Sequence, residues 1–263
     1  MFKVSCIQIC SGKNIKKNLS ISKKLILKAI KKKSDLIITP ETSSLFGLNK
    51  KQLLQITTSM RKDIYLNGIR EIAKKYKKWI LTSIIVKEKK KIKNRSILIN
   101  SKGRIQTYYD KIHMYDATLS TKEKYFESRT FDAGKIFKTT NLPWGRLGLS
   151  ICYDIRFPNM FRKLSQKGSL FISVPSAFTE TTGKKHWHSL LKARAIENFC
   201  YIFAPAQQGR HWNKRKTYGH SLIVSPDGKV LKELKKGSGI ITANIDPKLS
   251  INLRRKIPSL KNN

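Results

Sequence analysis

The chain has 263 residues, 40% of them hydrophobic, which is enough length and apolar material for a sizeable core despite a formal net charge of +39 at pH 7. No stretch approaches the run of about 20 apolar residues that a membrane span needs. The four irregularly spaced cysteines, and a start without a charged segment leading into a long apolar run, argue against a disulfide framework and a signal peptide, so we expect a soluble, cytoplasmic protein.

The first 110 residues alternate apolar strands with amphipathic helices. Residues 2–9 are apolar on both faces, as in a strand buried within a layered α/β protein. Helical stripes over residues 15–30 and 65–76 leave most of their lysines on the opposite face. Further strands are predicted at 36–39 and 79–86. From Arg95 the predicted elements are two successive strands joined by a turn at Asn100-Ser101-Lys102-Gly103.

The second half of the chain continues the same alternation. The predicted strands are 147–151, 170–174 and 201–204, and the predicted helices are 157–165 and 186–198. Ser225-Pro226-Asp227-Gly228 is typical of a hairpin turn. Because no repeat or low-complexity linker interrupts the chain, we predict a single α/β domain with a mixed sheet over residues 1–248 and a C-terminal tail over residues 249–263.

Three reactive side chains stand where a predicted strand gives way to a loop, which is where α/β proteins carry their chemistry. Glu41 follows the strand 36–39 and Pro40, Lys111 lies in the run from Tyr108 to Asp116, and Cys152 follows the strand 147–151. Each has a plain alternative on its own. Cys152 alone would be a buried structural thiol, Glu41 a helix cap or surface carboxylate, and Lys111 one of 42 lysines.

Taken together and in this order, the three segments resemble the nitrilase superfamily of carbon-nitrogen hydrolases. The resemblance implies a four-layer αββα sandwich, a homodimer, and a thiol amidase that needs neither cofactor nor metal. It implies that Cys152 is the nucleophile, that Glu41 takes its proton, and that Lys111 stabilises the oxyanion. Glu127, sixteen residues after Lys111, is implied to help position the substrate, and the backbone N–H of Tyr153 to be the second oxyanion donor.

Two further runs resemble the deaminated glutathione amidase branch of that superfamily. They are residues 175–187 with 194–198, and residues 207–211 with 214–221. The implied reaction is hydrolysis of deaminated glutathione to 2-oxoglutarate and cysteinylglycine. The alternative is an omega-amidase acting on 2-oxoglutaramate or another small amide, although such enzymes usually lack the second run. Tyr153, Thr179 and Arg210 are the substrate-binding candidates; Arg156 is another cation in reach, although it equally suits a structural role.

Metal and phosphate sites are not predicted. His186 and His188 are two residues apart on a predicted helix, so their side chains point to different sides. Gly183-Lys184 would need a glycine where Phe178 stands to complete a phosphate-binding loop. The remaining cysteines, at positions 6, 10 and 200, have no paired ligand spacing and are interpreted as packing residues.

The charge itself has two interpretations. A pI near 10.3 produces non-specific nucleic-acid binding at low salt, and a catalytically idle basic binding protein is the alternative that this observation raises. However, the cations are 42 Lys and only 13 Arg, whereas Arg leads where phosphates are recognised specifically. Residues 110–154 carry seven basic and six acidic residues, so the excess lies outside the segment that holds Lys111 and Cys152. We therefore predict a small anionic amide as the partner and no specific nucleic acid.

Overall fold

The computed structural model describes residues 1–261, and two six-stranded sheets stacked face to face form its centre. The first sheet has the spatial order β16-β1-β2-β3-β4-β5. Its strands are β1 (Phe2–Gln8), β2 (Leu36–Ile38), β3 (Trp79–Glu88), β4 (Lys91–Ile99), β5 (Ile105–Asp110) and β16 (Gly239–Ile245). Strands β1, β2 and β3 are parallel, while β4, β5 and β16 join by antiparallel pairing. The sheet is mixed, as predicted.

The second sheet repeats this plan in the other half of the chain, in the order β15-β14-β11-β10-β9-β8. Its strands are β8 (Lys138–Leu142), β9 (Gly145–Leu149), β10 (Ser169–Ser173), β11 (Tyr201–Ala204), β14 (Ser221–Val224) and β15 (Val230–Leu234). Its centre, β9, β10 and β11, is parallel, and the outer strands are antiparallel. The predicted turn at residues 225–228 joins β14 to β15, with Gly228 N–H donating to Ser225 O at 2.9 Å.

Helices cover the outer face of each sheet. The helices are α1 (Ile15–Lys31), α2 (Lys50–Ile56), α3 (Ile64–Tyr76), α4 (Pro158–Gln166), α5 (Glu180–Asn198) and α6 (Pro247–Lys256). Helices α1 and α3 pack on the first sheet through residues such as Ile26 and Ile69, while α4 and α5 pack on the second through Phe161 and Trp187. The layers are therefore helix, sheet, sheet, helix, which confirms the predicted αββα sandwich.

The alternation of side chains along the strands separates two cores. In β2, Leu36 and Ile38 face the second sheet, whereas Ile37 between them faces α1 and α3. Likewise, Leu81 of β3 lies between the sheets and Ile80 lies under the helices. This period of two is what a strand buried on both faces requires, and it explains why these segments are apolar throughout.

Several elements differ from the sequence prediction. Helix α5 begins at Glu180, six residues earlier than expected, because the Thr179 side chain caps it by accepting from Thr182 N–H. Helix α2 was not predicted. Nor were two small hairpins, β6 (Asp116–Thr118) with β7 (Lys124–Phe126) and β12 (Gln208–Arg210) with β13 (Lys216–Tyr218).

Most of the predicted C-terminal tail is helical. Helix α6 contains the predicted boundary at residue 248 and is held to the second sheet, because Arg254 Nη2 donates to Ser169 O at 2.6 Å and to Asn198 O at 2.9 Å. Within residues 1–261, no helix combines the length and apolarity needed to cross a membrane. The structure holds a single chain, so the homodimer stays a prediction.

Candidate active site

Three strand ends bring Glu41, Lys111 and Cys152 together. Glu41 follows β2 and Lys111 follows β5, whose carboxyl ends lie at the same edge of the first sheet, and Cys152 follows β9 in the facing sheet. Two of the turns adopt left-handed backbone: Cys152 has φ +49° and Thr42, beside Glu41, has φ +51°. Such conformations are costly for residues other than glycine, and they concentrate at functional sites. Cys152 opens a short 3₁₀ turn, Cys152–Arg156, and its N–H donates to Pro175 O at 3.0 Å.

Lys111 is clamped by two carboxylates. Its Nζ lies 2.9 Å from Glu41 Oε1, 2.9 Å from Glu127 Oε1 and 2.7 Å from Glu127 Oε2. The Lys111 side chain is only 2% exposed, so little water screens these ion pairs. Glu127 is held in turn by Tyr115 N–H at 2.7 Å, and Glu41 by Asn94 Nδ2 at 2.8 Å and Ala177 N–H at 2.7 Å. Every charged oxygen that faces the ammonium is therefore fixed by the surrounding structure.

The protonation states follow from burial and charge. Burial alone would raise the pKa of Glu41, but the charge and hydrogen bond of Lys111, with hydrogen bonds from Cys152 and Asn94, hold that pKa below its ordinary value. Burial and the neighbouring Glu41 charge raise the pKa of the Cys152 thiol well above its ordinary value, more than Lys111 lowers it. Burial works against the charged form of Lys111, yet Glu127 and Glu41 raise the pKa of Lys111 above its usual range. The site rests as a neutral thiol beside an ionised carboxylate and an ammonium.

Asp154 links the loops that carry Lys111 and Cys152. It is fully buried, and its carboxylate accepts from Ile151 N–H at 2.8 Å, from Tyr109 OH at 2.7 Å and from His113 N–H at 3.2 Å. The His113 ring also hydrogen-bonds it at 2.7 Å and stacks on Phe157 with ring centroids 3.6 Å apart. One carboxylate thus ties the segment after Lys111 to the turn that carries Cys152.

A small hollow of about 10 Å³ lies behind Cys152, bordered by Tyr115, Tyr153 and Thr179. A volume of this size holds about one water or one substrate oxygen. Within residues 1–261, the Tyr153 N–H at the start of the 3₁₀ turn has no hydrogen-bond acceptor. The Thr179 hydroxyl is occupied, since it lies 2.7 Å from Thr182 Oγ1 and caps α5.

The thiol opens on its other side into a cavity of about 400 Å³, a size typical of small-molecule sites. Besides the catalytic groups, its walls include Phe46 and Tyr125. The charged residues of the wall outside Glu41, Lys111 and Glu127 are Lys124 and Arg215, both positive. An anionic substrate is electrostatically favoured in such a cavity.

Neither arginine that the sequence analysis named for substrate binding lines this cavity. Arg210 ends β12, is exposed and does not border the cavity, because the hairpin turns its end outward. Arg156 also lies outside the cavity, with its guanidinium near Phe178 and 3.1 Å from His186 Nδ1. Arg215, five residues after Arg210, is the arginine in the wall. Its only sequence signal was its membership of the run 214–221.

The other candidate clusters have structural explanations. His186 and His188 do point to different partners, as predicted, but His188 joins His220 around Glu233 Oε1, at 2.9 Å and 2.6 Å, a grouping that the sequence did not predict. Gly183 belongs to no phosphate loop; it lets the Tyr218 ring approach α5 where a Cβ would collide with it.

The remaining cysteines differ in burial. Cys6 and Cys200 are buried, as expected of packing residues, and burial raises the pKa of Cys200 to about 12. Cys10 is partly exposed, with Sγ 3.6 Å from His211 Nδ1. Of the four thiols, Cys152 alone lies against an ion pair of a lysine and glutamates.

Comparisons with known proteins agree with this geometry. The profile of the carbon-nitrogen hydrolase family matches residues 3–255. The chain is 36% identical to the deaminated glutathione amidase of Yersinia enterocolitica, over 99% of this chain and 92% of that protein. It is 38% identical to the probable hydrolase nit2 of Schizosaccharomyces pombe, over 97% and 95%. The crystal structure of the C. elegans NitFhit protein matches with a TM-score of 0.93 at 35% identity, covering 100% of this chain and 65% of that chain.

Proposed function

The chain belongs to the carbon-nitrogen hydrolase family of the nitrilase superfamily and is a hydrolase of non-peptide carbon–nitrogen bonds in linear amides, and we propose that its substrate is deaminated glutathione. In that molecule a keto group replaces the amino group of glutathione. Hydrolysis of its amide adds one water and releases 2-oxoglutarate and cysteinylglycine. The observation that carries the catalytic part of the proposal is the burial of Cys152, Glu41 and Lys111 at the wall of one cavity, with Glu41 Oε1 2.9 Å from Lys111 Nζ.

The first half-reaction forms a thioester. Because the resting thiol is neutral, Glu41 takes the Cys152 proton as sulfur attacks the amide carbon, rather than finding a preformed thiolate. The three N–H donors of Lys111 face three carboxylate oxygens, two of which belong to Glu127. One donor can therefore turn from a Glu127 oxygen to the oxyanion while the other oxygen keeps the ion pair, and the Tyr153 N–H joins it there. Glu41 then returns the proton to the nitrogen, the C–N bond breaks, and the amine leaves.

The second half-reaction uses the same groups in reverse. Glu41, again a carboxylate, removes a proton from a water that attacks the thioester carbon. The second tetrahedral intermediate collapses, the C–S bond breaks, and the proton held by Glu41 returns to sulfur. Glu127 takes no proton in this scheme; it holds Lys111 in place through both half-reactions.

Three observations support the substrate. The cavity wall contains Ala177 and Arg215, which belong to the two runs that resemble the deaminated glutathione amidase branch. Its charged residues beyond the catalytic group are both positive, which suits a substrate with two carboxylates. A relative that carries this activity as its name aligns over 99% of the chain.

The second candidate substrate is 2-oxoglutaramate. It presents the same 2-oxoglutaryl group to Cys152 and differs only in the leaving amine, so the catalytic cluster accepts either. The idle binding protein of the sequence analysis is disfavoured, since a protein without catalysis has no need for a buried, fully paired Lys111 beside a strained cysteine.

The deciding experiment compares kcat/KM for the two keto-acid amides in the purified protein. We expect deaminated glutathione to be preferred by at least about tenfold, the size of one additional charge-assisted contact to the cysteinylglycine half. The reverse preference would assign the protein to the omega-amidases. The Cys152→Ala variant is the negative control, and turnover above a trace in that variant would contradict the assignment of the nucleophile.

A further inference from the structure

We propose that Arg215 is the carboxylate-binding group of the cavity and selects amides that carry a carboxylate over neutral amides of the same length. The inference deepens the proposed function by naming a specificity residue of the same site. It rests on that function only in taking a linear amide as the ligand, and not on the identity of the amide.

The Arg215 guanidinium lies over two aromatic rings of the cavity wall. Its Cζ is 5.2 Å from the centroid of Phe46 and 4.8 Å from that of Tyr125. Arginine makes such contacts better than lysine, because its charge is spread over a planar group. The rings contact the guanidinium without occupying its N–H donors as a carboxylate would, so the donors that have no acceptor remain available to a ligand.

The loop that carries Arg215 is fixed before any ligand arrives. His211 N–H donates to Arg215 O at 2.8 Å and closes the loop between β12 and β13. The Trp212 indole, three residues earlier, donates to Phe46 O at 2.7 Å, which attaches the same loop to the segment that carries Phe46. A preorganised cation loses less conformational entropy on binding than a mobile one.

The hydrogen bonds of Arg215 are incomplete. Its Nη2 donates to Ala177 O at 3.1 Å, while its Nε is shielded from solvent and has no acceptor among residues 1–261. No carboxylate of the described residues lies within ion-pair distance of it. A buried donor on a charged group without an acceptor is costly, and a carboxylate ligand would satisfy both the charge and the donor.

The position of this cation suits a substrate that reaches Cys152. Ala177 accepts from Arg215 through its carbonyl and donates to Glu41 Oε2 at 2.7 Å through its N–H. Because both groups belong to one residue, the guanidinium lies within about 10 Å of the catalytic carboxylate. That separation matches a carboxylate a few bonds from the scissile carbon, on the acyl side or on the amine side.

The test measures binding in the Cys152→Ala protein, which keeps the cavity but cannot turn the amides over. Calorimetry compares glutaramate with valeramide, whose chains have equal length and end in a carboxylate or a methyl group. We expect glutaramate to bind at least about tenfold more tightly. Adding Arg215→Gln should remove most of that preference, and Arg215→Lys should restore part of it, because the charge returns without the planar fork. Valeramide binding should change little in either variant.

Pentanoylglycine has a neutral acyl chain and a carboxylate on the amine side. It tests which side of the amide carries the carboxylate that Arg215 binds. A larger Arg215→Gln loss for this ligand than for glutaramate assigns the residue to the leaving group. Arg210→Gln is the matched control, an exposed arginine outside the cavity, and should leave both preferences intact.

Equal binding of glutaramate and valeramide to Cys152→Ala, or a preference that survives Arg215→Gln, would overturn the proposal. So would an equal loss of both ligands on Arg215→Gln, since that indicates a collapsed wall. A wild-type preference for 2-oxoglutaramate would refute the proposed substrate and leave these binding results unaffected.

Discussion

Two cationic regions of the protein have the same sign of charge but differ in their exposure to water and in their contacts. On the outer face of α1, five exposed lysines at positions 16, 17, 24, 28 and 31 point into water, and within residues 1–261 none of them forms an ion pair. In the cavity, Lys111 is 2% exposed and paired with two carboxylates, and Arg215 lies over two rings. Water screens the first group, while the second acts at close range in a shielded space.

Net charge and function are therefore separate properties of this chain. The five lysines of α1 add five units to a formal charge of +39 and act only through the weak, screened field of a solvated helix face. Lys111 and Arg215 are two of the 55 basic residues, yet Lys111 pairs with both carboxylates of the cluster and Arg215 holds a donor without an acceptor at the cavity wall.

Removing the buried ammonium should have the largest effect. In Lys111→Met, Glu41 and Glu127 face each other without a counter-ion, which we expect to cost about 3–5 kcal/mol of stability. Activity should fall by about a thousandfold or more, because the main oxyanion donor is lost. Chemical denaturation and kcat/KM check the two effects. A variant as stable as the wild type would show that the cluster is better solvated than its burial indicates.

The next effect concerns a buried anion, Asp154. Asp154→Asn places an amide N–H₂ among groups that already donate, Ile151 N–H, His113 N–H and Tyr109 OH. We expect a loss of about 3 kcal/mol and a lower kcat, since the Cys152 turn loses its attachment to the segment after Lys111. Denaturant midpoints and kinetics measure these changes. Asp246→Asn is the control, because asparagine is an equally good N-cap for α6, and it should be near neutral.

Local signals in the sequence single out the candidate catalytic residues. Glu41 and Cys152 follow strands whose apolar residues are visible in the sequence, so their place at a strand end needed no knowledge of the fold. Lys111 follows β5, whose sequence Ile105–Asp110 is mixed, and only its surrounding motif marked it. Their assembly into one cluster is a prediction from resemblance that the distances now support. Several missed helix starts also had local signals: Asn49 with Gln52 forms a capping box for α2, and Pro247 follows the N-cap of α6.

The substrate-binding residue was harder to predict because its role is not local. Arg210 and Arg215 lie in one hairpin, and only the packing of that hairpin decides which of them enters the cavity. Phe46 and Tyr125, the rings that contact Arg215, are 79 residues apart in the sequence. Asp154 has the same character, since its partners Tyr109 and His113 come from the other half of the chain. Residues whose role depends on long-range packing leave no periodic pattern in the sequence.

A smaller effect is expected for the acid limb of the pH profile. The pKa of Glu41 is held below its ordinary value of 4.5, so this carboxylate should stay active as pH falls from 7 to 5. Its contribution to stability is present above the unfolded-state pKa and is lost as pH falls through the lower folded-state pKa. Asn94→Ala removes a 2.8 Å hydrogen bond to Glu41 and should move the acid limb of kcat/KM to higher pH. Circular dichroism at each pH separates this shift from unfolding, and an unmoved limb would assign the titration to another group.

The smallest effect is expected on the solvated face. Replacing Lys16, Lys17, Lys24 and Lys28 by Gln lowers the net charge by four, yet each change should alter stability by no more than about 0.5 kcal/mol. The kcat/KM should stay within about twofold, because salt screens charges this far from the cavity. Filter binding should show wild-type protein retaining DNA at low salt and releasing it at physiological ionic strength, with the variant weaker throughout. Retention of DNA by the wild type at physiological salt, lost in the variant, would instead give these lysines a binding function and break the division between the two regions.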